Sequence, residues 1–206
     1  MIIGIDFSIN STGVAIKTKD DLILMSFSAN YKSHLKGFRT HEKIKDLVQI
    51  FSYIKEGNTK DPLETQQIKI RNANRLSDII MEKLEPYLDK CTQINIEGFS
   101  YSSSGNSFID IVMYNSFLRC KLYERVGDSI FIVPPKTLKK RYSGNGNANK
   151  CFMLTHYVDN TKSELRDLIN SLDIIEGKKF FIPKPIDDLV DAIALTEVEF
   201  SLQIKE

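Results

Sequence analysis

Tryptophan is absent from the 206 residues, and cysteine and histidine occur only three times each. Cys91, Cys120 and Cys151 are odd in number and lack any close metal-ligand spacing. A disulfide scaffold and a cysteine-based metal knot are thereby excluded, and the three read as small core residues in a reducing compartment. No apolar run approaches the roughly 18 residues a membrane span requires. Asp6 interrupts the stretch where an export signal would carry its apolar segment, so the expectation is a soluble protein of the cytoplasm. Charge of one sign is lacking too: 28 Lys plus Arg face 27 Asp plus Glu, a net +1. That argues against a chain that coats nucleic acid nonspecifically but leaves room for a local basic groove. Internal repeats and low-complexity tracts are also absent, which removes solenoids and fibres. What remains is an ordinary globular balance, 42% hydrophobic and 27% charged, at a length that suits one domain.

Residues 1–28 read as a three-strand meander, IIGIDFS, STGVAIK and LILMSFS, separated by polar turns. The first strand is too apolar for an edge and is expected in the middle of a sheet. From Ala29 to Asp61 no period is defensible beyond a short apolar patch at 47–54, and this stretch reads as an insertion. Pro62 opens a helix through about Tyr87, QINIEGF follows as a strand, and a loop YSSSGNS leads to a helix from about Phe108 to Arg125. SIFIVPP is a further short strand. Helices are then expected around Leu138, from Ala148 to Val158, around Glu164 to Leu172, and from Ile186 to about Leu202. The fold class is α/β: a mixed central sheet, a three-strand meander plus two further strands, flanked by helices.

Two acidic residues stand where strands call for apolar ones: Asp6 inside MIIGIDFS and Glu97 at the end of QINIEGF. A buried ionised carboxylate is costly unless it is paired or binds metal. The last helix adds Asp187, Asp188 and Asp191, with Asp188 and Asp191 three apart and on one face. Each has a plain alternative: Asp187 and Asp188 as favourable charges at a helix N-terminus, Glu97 as a strand-end residue, Asp6 as a turn cap with Ser8. Taken together, hard oxygen donors without His or Cys suit Mg²⁺, with Mn²⁺ able to substitute, and a pair of such ions suits phosphoryl chemistry.

A basic segment complements them. From Ser129 to Val158 there is no Asp or Glu, while Lys136, Lys139, Lys140, Arg141 and Lys150 supply five positive charges. Within it, SGNGNANK combines Gly144 and Gly146 with a helix start, a setting in which backbone amides can face phosphate. The spacing is not that of a P-loop. Such a cluster can also be a solvated face; beside a carboxylate group that attracts metal ions it reads as a nucleic-acid track.

The blocks IIGIDFSINSTGVAI, IEGF, VPPKTLKKRYSGNGNANK and DDLVDAIAL, in this order, resemble RuvC-type Holliday junction resolvases of the ribonuclease H-like superfamily. The resemblance implies a ribonuclease H-like fold with metal-binding catalytic carboxylates at Asp6, Glu97, Asp188 and Asp191, and two Mg²⁺ ions per site. It also implies phosphate contacts through the block containing Val133, Pro134, Lys139, Gly144, Gly146, Ala148 and Lys150, and an aromatic residue after Glu97 at the junction centre, for which Phe99 and Tyr101 are the candidates. The implied activity is resolution of four-way or other branched DNA in recombination and repair, by a homodimer. The helix at 108–125, with Ile109, Val112, Met113, Phe117 and Leu118, is the candidate dimer element, core packing being the alternative. The GFSYSSSGNSFID loop is closer to phage-encoded members, for which the host cytoplasm is the expected location. Other ribonuclease H-like nucleases, acting in DNA packaging or on RNA:DNA hybrids, and a noncatalytic junction binder are the competing readings. A sugar-kinase type ATPase is disfavoured, because the strand motif occurs once and that architecture needs two such domains. His34, His41 and His156 lie outside the matched blocks and receive no role.

Overall fold

The structure, a computed structural model, describes residues 1–29, 44–99, 105–171, 175–176, 179–180 and 184–199. Strands β1 (Ile2–Asp6), β2 (Ser11–Lys17) and β3 (Leu22–Ala29) form the antiparallel meander, with Asp6 opposite Gly13 and Val14 opposite Met25. β5 (Gln93–Glu97) joins β1 in parallel, and β6 (Ile130–Val133) joins β5 in parallel. An additional strand, β4 (Gln49–Tyr53), lies parallel to β3, giving the order β4-β3-β2-β1-β5-β6. β1 is central, as its apolar sequence requires.

β4 falls in the stretch the sequence left unassigned. Its pairing with β3 is nonlocal, and its five residues alternate too weakly in polarity to announce a strand. The chain beyond it is anchored by buried Asn72, which donates to the Glu56 carbonyl and accepts from the Glu56 amide, both at 2.9 Å. Glu56 also pairs with Arg71 and Arg75.

Helix α1 (Pro62–Leu88) starts where Pro62 suits the first turn and Asp61 accepts the Leu63 amide at 2.9 Å. With α2 (Asn106–Val126) it covers one sheet face, burying Ala73, Leu76, Ile80, Leu84, Leu118 and Leu122 against Ile3, Ile5, Val14, Ile16, Ile94 and Ile96. The apolar residues expected to mark a dimer surface therefore divide. Leu118 belongs to the core, Met113 and Phe117 pack at its margin, and Ile109 is 64% exposed.

The opposite face holds α3 (Pro135–Ser143), α4 (Lys150–Asn160), α5 (Glu164–Ser171) and α6 (Ile186–Thr196), which share a second core through Leu138, Met153, Tyr157, Ile169, Leu189 and Ile193. Two short strands, β7 (Ile175–Glu176) and β8 (Lys179–Phe180), pair in a small hairpin where only loops and helices were expected. The cysteines are free, and none is the buried core residue expected: Cys120 is exposed, and Cys91 and Cys151 are half-buried. Among the described residues no helix is long and apolar enough to cross a membrane.

The two-residue strand period decides what α6 meets. With Ile3, Ile5, Val14, Ile16, Ile94 and Ile96 on the α1 and α2 side, the alternate set, Gly4, Asp6, Ser11, Gly13, Ala15, Gln93, Asn95 and Glu97, faces α6. The two glycines make a trough: a Cβ at Gly4 would stand 2.1 Å from the Ala192 carbonyl oxygen, and one at Gly13 would stand 2.4 Å from that of Asp188. On β5, Asn95 donates to the carbonyls of Leu195 and Val198, and Gln93 to Val198 and to Asn95, at 2.7–2.8 Å. These bonds grip the chain in the last turn of α6 and just past it. α6 stops at Thr196, short of the expected Leu202; residues from 200 onward lie outside the described set.

A Gly4→Ala substitution should therefore push α6 off the sheet and cost roughly 2–4 kcal/mol in urea unfolding. Gly57→Ala, where a Cβ meets nothing within 4 Å, should stay within about 0.5 kcal/mol of the parent.

Candidate active site

Asp6 and Glu97 are the last residues of two adjacent parallel strands. Ile5 pairs with Ile96, so the two carboxyls emerge side by side. Each carboxyl acts on the ionisation of the other. α6 runs antiparallel to both strands and sets its first turns over their ends. Asp188, 2% exposed, accepts the Ser11 hydroxyl at 2.6 Å on Oδ2 and the Lys184 ammonium on Oδ1. Asp191 lies one turn on, on the same face.

The four carboxylates line one cleft of about 320 Å³, together with Ser8, Gly98, Pro135, Lys139, Lys150, Met153 and Lys184. The acidic wall thus comes from β1, β5 and α6, and the basic wall from α3, α4 and the approach to α6. Lys150 opens α4, whose start is fixed by Asn149 accepting the Phe152 amide at 2.9 Å.

Burial, then the charges of Glu97, Asp188 and Asp191, hold the Asp6 carboxyl well above the usual carboxylate range. Burial also raises Glu97, with Asp6 and the positive charges of Lys139 and Lys150 opposing. Asp188 is pushed up to about 6 by burial, with Lys184 opposing and Asp187 adding to the rise. Asp191 is pushed up to about 7, by burial first and by the negative charge of Glu97 second. Burial works against the Lys184 ammonium, but Asp188 and Asp187 outweigh it and hold the group above the ordinary lysine value.

Among the described residues no three such side chains close around a single point at metal-binding distance. Lysines balance part of the charge of this acidic region. Its chemistry nonetheless fits a hard divalent cation: four oxygen-only donors, mutually repelling, at the mouth of a cleft and without His or Cys among them.

The structure brings together Asp6, Glu97, Asp188, Asp191, Lys139 and Lys150, all of which the sequence singles out. It places Lys136, Lys140, Arg141 and Gly146 elsewhere, along a second cleft of about 570 Å³ completed by Thr137 and Asn147. Gly144 ends α3 with φ of +76°, a left-handed conformation that favours glycine. Phe99 packs edge-to-face on Phe108 at 5.8 Å, with the Arg119 guanidinium 4.6 Å from its ring centre. Tyr101, His34 and His41 lie outside the described residues. His156 stacks edge-on against Tyr142 at 4.9 Å, away from the cleft lining.

Sequence reasoning missed Ser11, Gln93, Asn95 and Lys184. For Gln93 and Asn95 the signal was present, since QINIE alternates polar with apolar in phase with Glu97. Ser11 and Lys184 carry no such mark.

Three antiparallel strands, two parallel strands added beside the first, and carboxylates at the ends of β1, β5 and the start of α6 make a recognisable whole. It is a mixed α/β sheet between two helical layers, with the acidic ends of β1 and β5 under the start of α6. No protein-family model matches the chain, and no curated protein matches it. Solved structures similar to it include T. thermophilus RuvC in complex with Holliday junction substrate, at 15% identity and TM-score 0.48, covering 95% of this chain and 90% of that one. Thermus thermophilus RuvC by itself is similar at 14% identity and TM-score 0.49, with the same coverage. At that level of likeness the functional reading stands on the site's own residues.

The raised carboxyls carry a stability consequence. A group whose folded pKa exceeds its unfolded value weakens the fold as pH rises, beginning near the ordinary value of about 4 and completing at the folded value. In chelator, Asp191→Asn should stabilise the protein at pH 8 by about 1–2 kcal/mol, less than the full shift implies because the group is partly solvated. The gain should shrink as pH is lowered from 8 towards 4, as read by thermal melts across that range.

Proposed function

We propose that this chain is a divalent-metal-dependent endonuclease that resolves branched DNA, four-way junctions above all, by phosphodiester hydrolysis. The observation that carries this reading is one cleft lined by four carboxylates and three lysines. A carboxylate cluster alone would repel a phosphate, and a lysine cluster alone would bind one without activating water.

Asp6, Glu97, Asp188 and Asp191 would hold Mg²⁺ or Mn²⁺. Bound there, a pair of ions would neutralise the scissile phosphate and lower the pKa of a water. The chain's own contribution is positional. Asp6 and Glu97 are fixed by the β1–β5 pairing, and Asp188 and Asp191 by the seating of α6 in the glycine trough. Lys139 and Lys150 meet the phosphate charge from α3 and α4. Lys136, Lys140 and Arg141, along the second cleft, offer the backbone another contact on the same helix α3, so that more than one phosphate can be gripped. The resemblance in the sequence blocks supports a junction as the substrate and a homodimer as the assembly, because a junction with two-fold symmetry is matched by two related sites.

Asp6→Asn, Glu97→Gln and Asp191→Asn should each lower cutting by about 10³-fold or more, with junction affinity within about threefold of the parent, since the lysines of the cleft are untouched. Ca²⁺ should support binding but not cutting, its looser shell fitting in-line geometry poorly. The deciding assay sets a four-way junction, a linear duplex and an RNA:DNA hybrid side by side in Mg²⁺. Preference for the junction is the expected result, and preference for the hybrid would replace this reading with hybrid hydrolysis.

The dimer is tested separately, by mass in solution at micromolar concentration. A monomer that cuts junctions symmetrically would remove it.

A further inference from the structure

Asp187 belongs neither to the proposed ligand set nor to the lining of the main cleft, yet it is the residue between Ile186 and Asp188 in the first turn of α6 and is 7% exposed. A carboxylate buried to that degree is costly unless paired. Both of its partners are lysines of the cleft. Oδ2 accepts Lys150 Nζ and, at 3.1 Å, Lys184 Nζ, while Oδ1 has no hydrogen-bond partner among the described residues. Lys150 comes from the start of α4 and Lys184 from the segment entering α6, so nothing local would bring them together. Two ammonium groups on one oxygen repel each other, and the carboxylate they share is what holds them adjacent. Their side chains remain 60% and 46% exposed. Each ammonium has three donors, and after the bonds to Asp187 and Asp188 donors remain to face solvent.

We propose that Asp187 is a positioning residue rather than a metal ligand, holding Lys150 and Lys184 side by side as a clasp for one backbone phosphate beside the carboxylate cluster. The proposal rests on the nuclease reading above and adds Lys184 and Asp187 to it. It also fixes the sign of an effect. Simple electrostatics says that deleting a negative charge near a DNA cleft tightens binding. The clasp says that deleting this one loosens it, because the lysines spread apart.

The test measures affinity of the full chain for a labelled four-way junction and a linear duplex by fluorescence anisotropy, without divalent metal and over a range of salt. The proteins are the parent, Asp187→Asn, Lys150→Ala with Lys184→Ala, and the triple variant. Asp187→Asn should weaken binding about 5–20-fold and reduce its salt dependence. The lysine pair should lose at least as much, and the triple variant no more than the lysine pair, as expected for groups acting as one unit. Mn²⁺ binding by calorimetry should stay within about threefold in Asp187→Asn, whereas Asp188→Asn should lose it. Unchanged or tighter DNA binding in Asp187→Asn, additive losses in the triple variant, or loss of Mn²⁺ binding in Asp187→Asn would each overturn the proposal. If Asp187→Asn does not fold, Lys184→Ala serves instead, because it leaves Asp187 paired with Lys150 and Asp188 bonded to Ser11, and parental affinity in that variant overturns the proposal. Failure of the parent to bind either DNA overturns the nuclease reading and this proposal together. Parental binding with an unaffected Asp187→Asn overturns this proposal alone.

Discussion

The close seating of α6 on β1 and β2 is the contact on which the rest of the site depends. It is possible because Gly4 and Gly13 offer no side chain where the carbonyls of Ala192 and Asp188 arrive. A helix packed at ordinary distance would stand farther from the sheet, and its acidic first turns would not reach the ends of the strands. The same helix is held at its other end from the β5 face that carries Glu97, where Asn95 donates to the Leu195 carbonyl and both Asn95 and Gln93 donate to that of Val198 just past the helix. One strand therefore supplies both the anchor of α6 and one of the carboxylates that α6 faces. Register and chemistry are coupled, because a one-residue slip of β5 would turn Gln93, Asn95 and Glu97 away from α6 together.

Such a site is assembled against its own electrostatics. Burial raises Asp6, Glu97, Asp188 and Asp191, and neighbouring carboxylates raise Asp6, Asp188 and Asp191 further. The fold tolerates this through the Ser11 hydroxyl on Asp188 and through lysines placed as counter-ions. Local frustration of this kind concentrates at functional sites. It gives cations a thermodynamic reason to bind, since they relieve a repulsion that the apolar cores on both sides of the sheet otherwise offset.

How much of this was legible in the sequence follows from whether each residue violates a local pattern. Asp6 and Glu97 break strands that are otherwise apolar, and Asp191 breaks the apolar repeat of its helix, so all three were visible. Lys139 and Lys150 stood out because thirty residues around them hold no acid. The outline of the sheet was legible for the same reason, through the polarity of its strands. β4 was not, because its pairing partner is distant and its five residues show no alternation. Asp187 was seen but could not be separated from an ordinary acidic helix start; only its burial and its two lysine partners distinguish it. Lys184 carried no pattern at all, since its role depends on α4 and α6 meeting in space. The role of Arg119, drawn over Phe99 beside the end of β5, was hidden in the same way.

The central claim is that four carboxylates from two strand ends and one helix form a single cation-binding centre. Diffraction from crystals soaked in Mn²⁺, with anomalous scattering used to locate the ions, tests it most directly. The account predicts Mn²⁺ peaks bounded by Asp6, Glu97, Asp188 and Asp191, with Asp187 still bonded to its lysines. A fully occupied Mn²⁺ elsewhere on the protein, with the cluster free of anomalous density, would contradict it.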